Sequence, residues 1–104
     1  MSPFEVLAEP TRRRILDSLR DSERAVGELV LSLQVSQPAV SKHLRVLREA
    51  GLVEMRADAQ RRLYRVRPEP LVAVDRWLAP YRELWADGLD DLERHLDTMA
   101  ENTQ

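Results

Sequence analysis

The sequence predicts a mainly α domain with one small β-hairpin, on three observations. Apolar residues recur at three- and four-residue spacing over most of the chain. One central stretch changes to alternation, and the breaks fall on Pro, Gly or short polar runs. With 104 residues, 43% hydrophobic and 33% charged, the chain fits one compact domain over 1–104.

Each element follows in order. Pro10 opens a helix, because proline at the first helical position loses no hydrogen bond, and Ile15, Leu16 and Leu19 form its buried stripe. Asp21-Ser22-Glu23-Arg24 is a polar connector to a short amphipathic helix carrying Val26, Leu29, Val30 and Leu33, with Ala25 a poor N-cap. Ser36 caps the next helix, Pro38 sits in its first turn, Val40, Leu44 and Leu47 form its apolar face, and Gly51 ends it.

Val53, Met55 and Ala57 then alternate with Glu54 and Arg56. After Asp58-Ala59-Gln60 a second alternation runs from Leu63 to Val66, so the two segments read as a hairpin. The turn lacks a glycine, and Asp58 is the residue suited to left-handed backbone there. Beyond Pro68 and Pro70, the residues Leu78, Tyr81, Trp85, Leu89, Leu92, Leu96 and Met99 make a heptad-like helical stripe. Pro80 should kink this helix or start a new one. The helix covers 68–100, and Glu101 to Gln104 form a frayed end.

Composition removes whole classes of chemistry. With no cysteine there is no disulfide, thiolate metal site, iron–sulfur cluster or Cys nucleophile. No apolar run approaches the roughly 18 residues of a membrane span, and Met1-Ser2-Pro3 lacks the basic and apolar regions of a signal peptide. A soluble cytoplasmic protein is expected. The net charge of −2 is unevenly placed: residues 1–67 hold 13 Arg or Lys against 9 Asp or Glu, whereas residues 68–104 hold 3 against 9. A phosphate backbone feels charge within a screening length of about 8–10 Å, so the acidic C-terminal third leaves room for a basic binding face.

On a wheel of about 100° per residue, Pro38, Ser41, Lys42, Arg45 and Glu49 fall opposite Val40, with Gln37 and Arg48 at the border. Three short helices followed by a hairpin with a basic tip, over 10–67, is the order of a winged helix-turn-helix. Glu9-Pro10-Thr11-Arg12-Arg13-Arg14-Ile15-Leu16, Val26-Gly27-Glu28-Leu29, the run from Ser36 to Leu47, and Ala50-Gly51-Leu52-Val53 together resemble the ArsR/SmtB family of bacterial transcription regulators over residues 4–99. Trp77-Leu78-Ala79-Pro80-Tyr81 followed by Trp85 resembles a branch of that family without its metal-binding cysteines.

The resemblance implies DNA contacts at Ser36, Gln37, Ser41 and Lys42, with Arg45 on the same helical face. It also implies a wing that uses Arg56, Arg61, Arg62 and Tyr64. Short Ser and Gln side chains suit base edges, and Lys and Arg suit guanine or phosphate. A merely solvated helix face and edge-strand protection by charge are the plain alternatives. Arg12 and Arg13 stand where they reach phosphate or form a solvated first turn.

The family also implies an N-terminal helix over 1–9 and a two-fold dimer built from the first and last helices, here Phe4 and Leu7 with Leu78, Tyr81, Trp85, Leu89 and Leu92. Trp77, Tyr81 and Trp85 could instead line a pocket for a small-molecule effector. His43 follows Ser41 too closely on one helix to make a nucleophilic pair and suits packing or hydrogen bonding. Asp91 and His95 read as a surface pair rather than metal ligands, and neither a metal nor a cofactor is expected. The expected function is a homodimeric repressor that binds double-stranded DNA with an inverted repeat and occludes a promoter. A winged-helix protein-interaction module is the alternative, and no acid, base or nucleophile set supports an enzyme.

Overall fold

The computed structural model describes residues 1–102, except the side chains at 89, 90 and 100–102. Its elements in chain order are α1 (Pro3–Leu7), α2 (Pro10–Leu19), β1 (Arg24–Ala25), α3 (Val26–Leu33), α4 (Gln37–Glu49), β2 (Val53–Asp58), β3 (Arg61–Val66) and α5 (Glu69–Asn102). The chain divides into two compact units, residues 1–74 and 75–104, with the boundary inside α5.

The first unit has an apolar core. Val6, Ile15, Leu19, Leu29, Leu33, Val40, Leu44, Leu47, Leu52 and Val53 are buried together, and Leu7, Leu16, Val30, Tyr64, Val66 and Leu71 pack around them. These side chains come from helical stripes and from the base of the hairpin, so burying them fixes how α2, α3 and α4 meet.

Local chemistry sets the helix ends. Glu9 takes the N-cap of α2, its carboxylate accepting from the Arg12 backbone N–H at 2.9 Å, and Pro10 occupies the first turn as expected. Ala25 caps α3 with no side-chain acceptor, but the Glu28 carboxylate accepts from the Ala25 N–H at 3.1 Å, which compensates in part for the poor cap. Gln34 ends α3 at φ 55° and opens the short turn to α4. At the far end of α4, Gly51 lies at φ 77°. The Gly51 N–H donates to Arg48 O at 3.0 Å and the Leu52 N–H to Leu47 O at 2.9 Å, a Schellman closure that turns the chain into β2.

The structure corrects four expectations. The polar connector ends in a strand, because β1 pairs antiparallel with β3 and the hairpin becomes a three-stranded sheet of order β1-β3-β2. Two residues joined to one edge of β3 carry too little pattern to read from sequence. The left-handed residue of the wing turn is Ala59, at φ 56°, not Asp58, because register pairs Asp58 with Arg61 and leaves Ala59 and Gln60 as the turn. Of the two alternatives for Pro80, a kink or a new start, the new start is overturned, because α5 runs through it. Proline removes only the one backbone donor that the Arg76 carbonyl would meet, a single bond in a helix of 34 residues. Finally, α5 extends past the expected end at 100, through Glu101 to Asn102. The remainder of the expected frayed end, 103–104, lies outside the described residues.

Candidate nucleic-acid interface

The sequence pattern of α4 separates a buried back from an exposed front. Ser36 caps the helix, its Oγ accepting from the Ala39 N–H at 3.3 Å. Val40, Leu44 and Leu47 are buried, while Ser36, Gln37, Ser41, Lys42 and Arg45 are exposed. Pro38, Ser41, Lys42 and Arg45 line one shallow surface concavity. Among the described residues no ion pair engages Lys42 or Arg45, so this front offers its cationic heads to whatever meets it.

The strand register divides the wing residues between two faces. Residues opposed in an antiparallel pair share a face, and neighbours along a strand alternate. Met55 opposes Tyr64 and Ala57 opposes Arg62, which puts Arg62 and Tyr64 on one face. Asp58 opposes Arg61, so Arg56 and Arg61 fall on the other.

That second face is tied down by acids. The Arg56 guanidinium grips the Glu23 carboxylate with two hydrogen bonds, one of them from Nε at 2.8 Å. Arg61 donates to Glu28 Oε1 at 2.8 Å, and Arg24 lies 3.8 Å from the other oxygen of that carboxylate. Arg65 pairs with Glu54 directly across the sheet. The hydrogen bonds from Arg56 hold the Glu23 carboxyl below the usual carboxylate range against the opposing pull of desolvation, and the charges of Arg56, Arg65 and Arg61 add to the effect. Arg62 has no ion pair among the described residues.

Sequence reasoning missed Glu23 and Glu28. The available signal is a shared five-residue interval between the two acids and between Arg56 and Arg61, which becomes meaningful only once β1 is known to lie beside β3.

Other basic residues have structural work. Arg12 Nε donates to Val6 O at 2.6 Å, and Arg13 donates to Leu7 O at 2.7 Å and Ala8 O at 3.2 Å, so both cap the C-terminal carbonyls of α1. Arg14 reaches Leu33 O at 3.0 Å. His43 is half-buried with Nδ1 3.8 Å from Glu9 Oε2, beyond hydrogen-bond reach. Burial works to raise the Glu9 carboxyl, yet the Arg12 N–H, the charges of His43 and Arg12, and Thr11 together keep it below the usual carboxylate range.

In the second unit, Asp91 pairs with Arg94 rather than His95. Trp77 and Tyr81 meet with ring centroids 5.0 Å apart, and Trp77, Tyr81, Leu84, Trp85, Leu92, Leu96 and Met99 are exposed. The Leu89 side chain lies outside the described residues. In the first unit Phe4 is exposed, and Leu7 lines an apolar groove with Leu16, Val66 and Leu71. Among the described residues no three His, Cys, Asp or Glu side chains are grouped as a metal site would need, and no helix is long and apolar enough to cross a membrane.

A helix-turn-helix with an apolar back and a donor-rich front, followed by a basic antiparallel hairpin, defines the class of winged-helix regulators that bind DNA. The family model for arsR-family bacterial regulatory proteins matches residues 9–55, and an HTH-type transcriptional regulator of Mycobacterium tuberculosis, Rv2034, is 38% identical over 100 residues, covering 96% of this chain and 91% of that protein. The chain belongs to the ArsR family of bacterial regulatory proteins. The arsenic resistance transcriptional regulator ArsR1 of Pseudomonas putida is 43% identical over 102 residues, 97% of this chain and 80% of that one. Among solved structures, a possible transcriptional regulator for arsenical resistance has a TM-score of 0.72 at 39% identity, covering 84% of this chain and 96% of that chain. HlyU of Vibrio vulnificus has a TM-score of 0.63 at 38% identity, with coverage of 75% and 81%. These relatives are regulators and not enzymes.

Proposed function

We propose that the chain is a homodimeric, sequence-specific repressor that binds an inverted repeat in double-stranded DNA and occludes a promoter in the cytoplasm. The observation that carries this reading is the exposed, donor-rich front of α4, where among the described residues no ion pair engages Lys42 or Arg45, over a back of buried Val40, Leu44 and Leu47. Ser36, Gln37 and Ser41 offer short donors and acceptors to base edges, while Lys42 and Arg45 reach guanine or phosphate. The wing adds charge for the backbone through Arg62, beside Tyr64 on its face, and through Arg56 and Arg61 on the other.

Dimerisation is drawn from Phe4 and Leu7 and from Leu78, Tyr81, Trp85, Leu89 and Leu92. The exposed apolar side chains of α5 support it, because a soluble monomer rarely leaves so continuous an apolar stripe to water. Two-fold symmetry would set the paired α4 helices in successive major grooves about 34–36 Å apart, a reach that a monomer lacks. With no thiolate in the chain, soft metals have no fitting ligands for release, which leaves protein abundance or a small molecule beside Trp77 and Tyr81 as the control.

Selection of bound fragments from random duplex DNA, followed by salt titration of the enriched site, tests the reading. An enriched inverted repeat whose affinity falls steeply with salt is expected. Absence of any enriched sequence, with salt-insensitive binding to a protein partner, would establish the interaction-module alternative instead.

A further inference from the structure

We infer that Glu23 and Glu28 form an acid clamp that competes with DNA phosphates for the wing arginines Arg56 and Arg61, and so sets the strength of the wing's backbone contacts. This rests on the DNA-binding reading above and adds two acidic residues that themselves touch no DNA.

The argument begins with geometry. Each acid stands on the edge of the sheet formed by β1 and the start of α3, and each holds an arginine of the hairpin 33 residues away in sequence. Arg56 engages Glu23 with the two-pronged fork that would otherwise grip a phosphate, since carboxylate and phosphate present matching pairs of acceptors. Glu28 accepts simultaneously from Arg61 and from the Ala25 N–H, so its carboxylate is fixed in place by the backbone and does not swing away freely.

Both arginines remain more than half exposed, at 53% for Arg56 and 58% for Arg61, and a phosphate can therefore reach them without unfolding anything. It must displace the carboxylate or share the guanidinium with it. Either way an unneutralised acid is left beside the phosphate, and the net charge gained at the contact is small. Arg62, on the opposite face and without such an acid among the described residues, makes its contact undiminished.

The magnitude follows from counterion release. One phosphate neutralised by a free cation contributes a slope of about −0.9 in log affinity against log salt, which at 0.1 M salt corresponds to about eight-fold in affinity relative to 1 M. Glu23→Gln and Glu28→Gln keep a carbonyl acceptor, which for residue 28 preserves the bond from the Ala25 N–H, while the charge that holds the arginine is removed. Each should therefore bind a random-sequence duplex more tightly, by up to about eight-fold at 0.1 M salt, with a steeper salt slope.

A double-mutant cycle on the full chain separates the clamp from a simple loss of one negative charge. The gain from Glu23→Gln should largely vanish in an Arg56→Ala background, and the gain from Glu28→Gln in an Arg61→Ala background. Circular dichroism of each variant confirms folding, and each pair supplies a second route if the other disturbs the sheet. A gain that persists undiminished without its arginine, or no gain at all in a chain that does bind DNA, would overturn the clamp while leaving the regulator reading intact. A wild-type chain that binds no duplex in any salt would overturn that reading and the clamp together.

Discussion

Two residues hold left-handed backbone at the two ends of β2, and they make a reciprocal test of how α4 is joined to the wing. Gly51 lies at φ 77°, and a Cβ built there would meet only Pro70 Cγ at 3.7 Å, an ordinary contact. The cost of Gly51→Ala is therefore conformational rather than steric. Left-handed backbone costs a non-glycine residue about 1–2 kcal/mol, while the stiffer unfolded chain returns about 0.4–1 kcal/mol, for a net loss of about 1 kcal/mol.

Ala59 is the mirror case, with φ 56° and its Cβ already in place, so Ala59→Gly should stabilise the fold by up to about 1 kcal/mol. For a domain of this size these changes move the melting temperature by roughly 4–8 °C per kcal/mol, downward for Gly51→Ala and upward for Ala59→Gly. Urea denaturation and thermal melting, monitored by circular dichroism on both single variants and the double variant, measure them. Shifts of the same sign in the two single variants would refute the reasoning. A loss above about 3 kcal/mol at position 51 would mean that the Schellman bonds from the Gly51 and Leu52 N–H groups had also broken.

Three further outcomes follow from the site. Ser41→Ala and Arg45→Ala should weaken binding to the selected site more than to random duplex, by about 1–3 kcal/mol where a base edge is read, whereas Arg62→Ala should weaken both and reduce the salt slope; equal losses on both DNAs for Ser41→Ala would remove it from base reading. Trp85→Glu should convert a dimer to monomers in sedimentation velocity and abolish operator binding, because an ionised carboxylate in an apolar interface has no partner; an unchanged dimer would move Trp85 out of the interface. Glu9 has a lowered carboxyl pKa in the folded chain, so its contribution to stability is present above the ordinary carboxylate range and is lost as pH falls through the lowered value; Glu9→Gln should flatten that part of the acid-side stability profile, and an unaltered profile would show the pairing with the Arg12 N–H and His43 to be energetically silent.

What the sequence determined by itself is what local periodicity and capping chemistry encode. Val40, Leu44 and Leu47 at helical spacing determine which side of α4 is buried, and therefore which side presents Ser41, Lys42 and Arg45. Ser36 and Gly51 mark the ends of that helix because one supplies an acceptor and the other tolerates left-handed backbone, both of which are properties of single residues.

Tertiary structure decided what depends on elements distant in the chain. Two residues at 24–25 carry no strand signal of their own and become β1 only because the edge of β3 offers them hydrogen bonds. That pairing brings Glu23 and Glu28 to Arg56 and Arg61, so these two are ion-paired while Arg62, which reads alike in sequence, has no ion pair among the described residues. Arg12 and Arg13 likewise look like surface cations until α1 folds back and its unsatisfied carbonyls accept their N–H groups. Charge is written in the sequence, but its availability depends on which opposite charge or orphaned carbonyl the fold places within about 3 Å, a distance that periodicity does not specify.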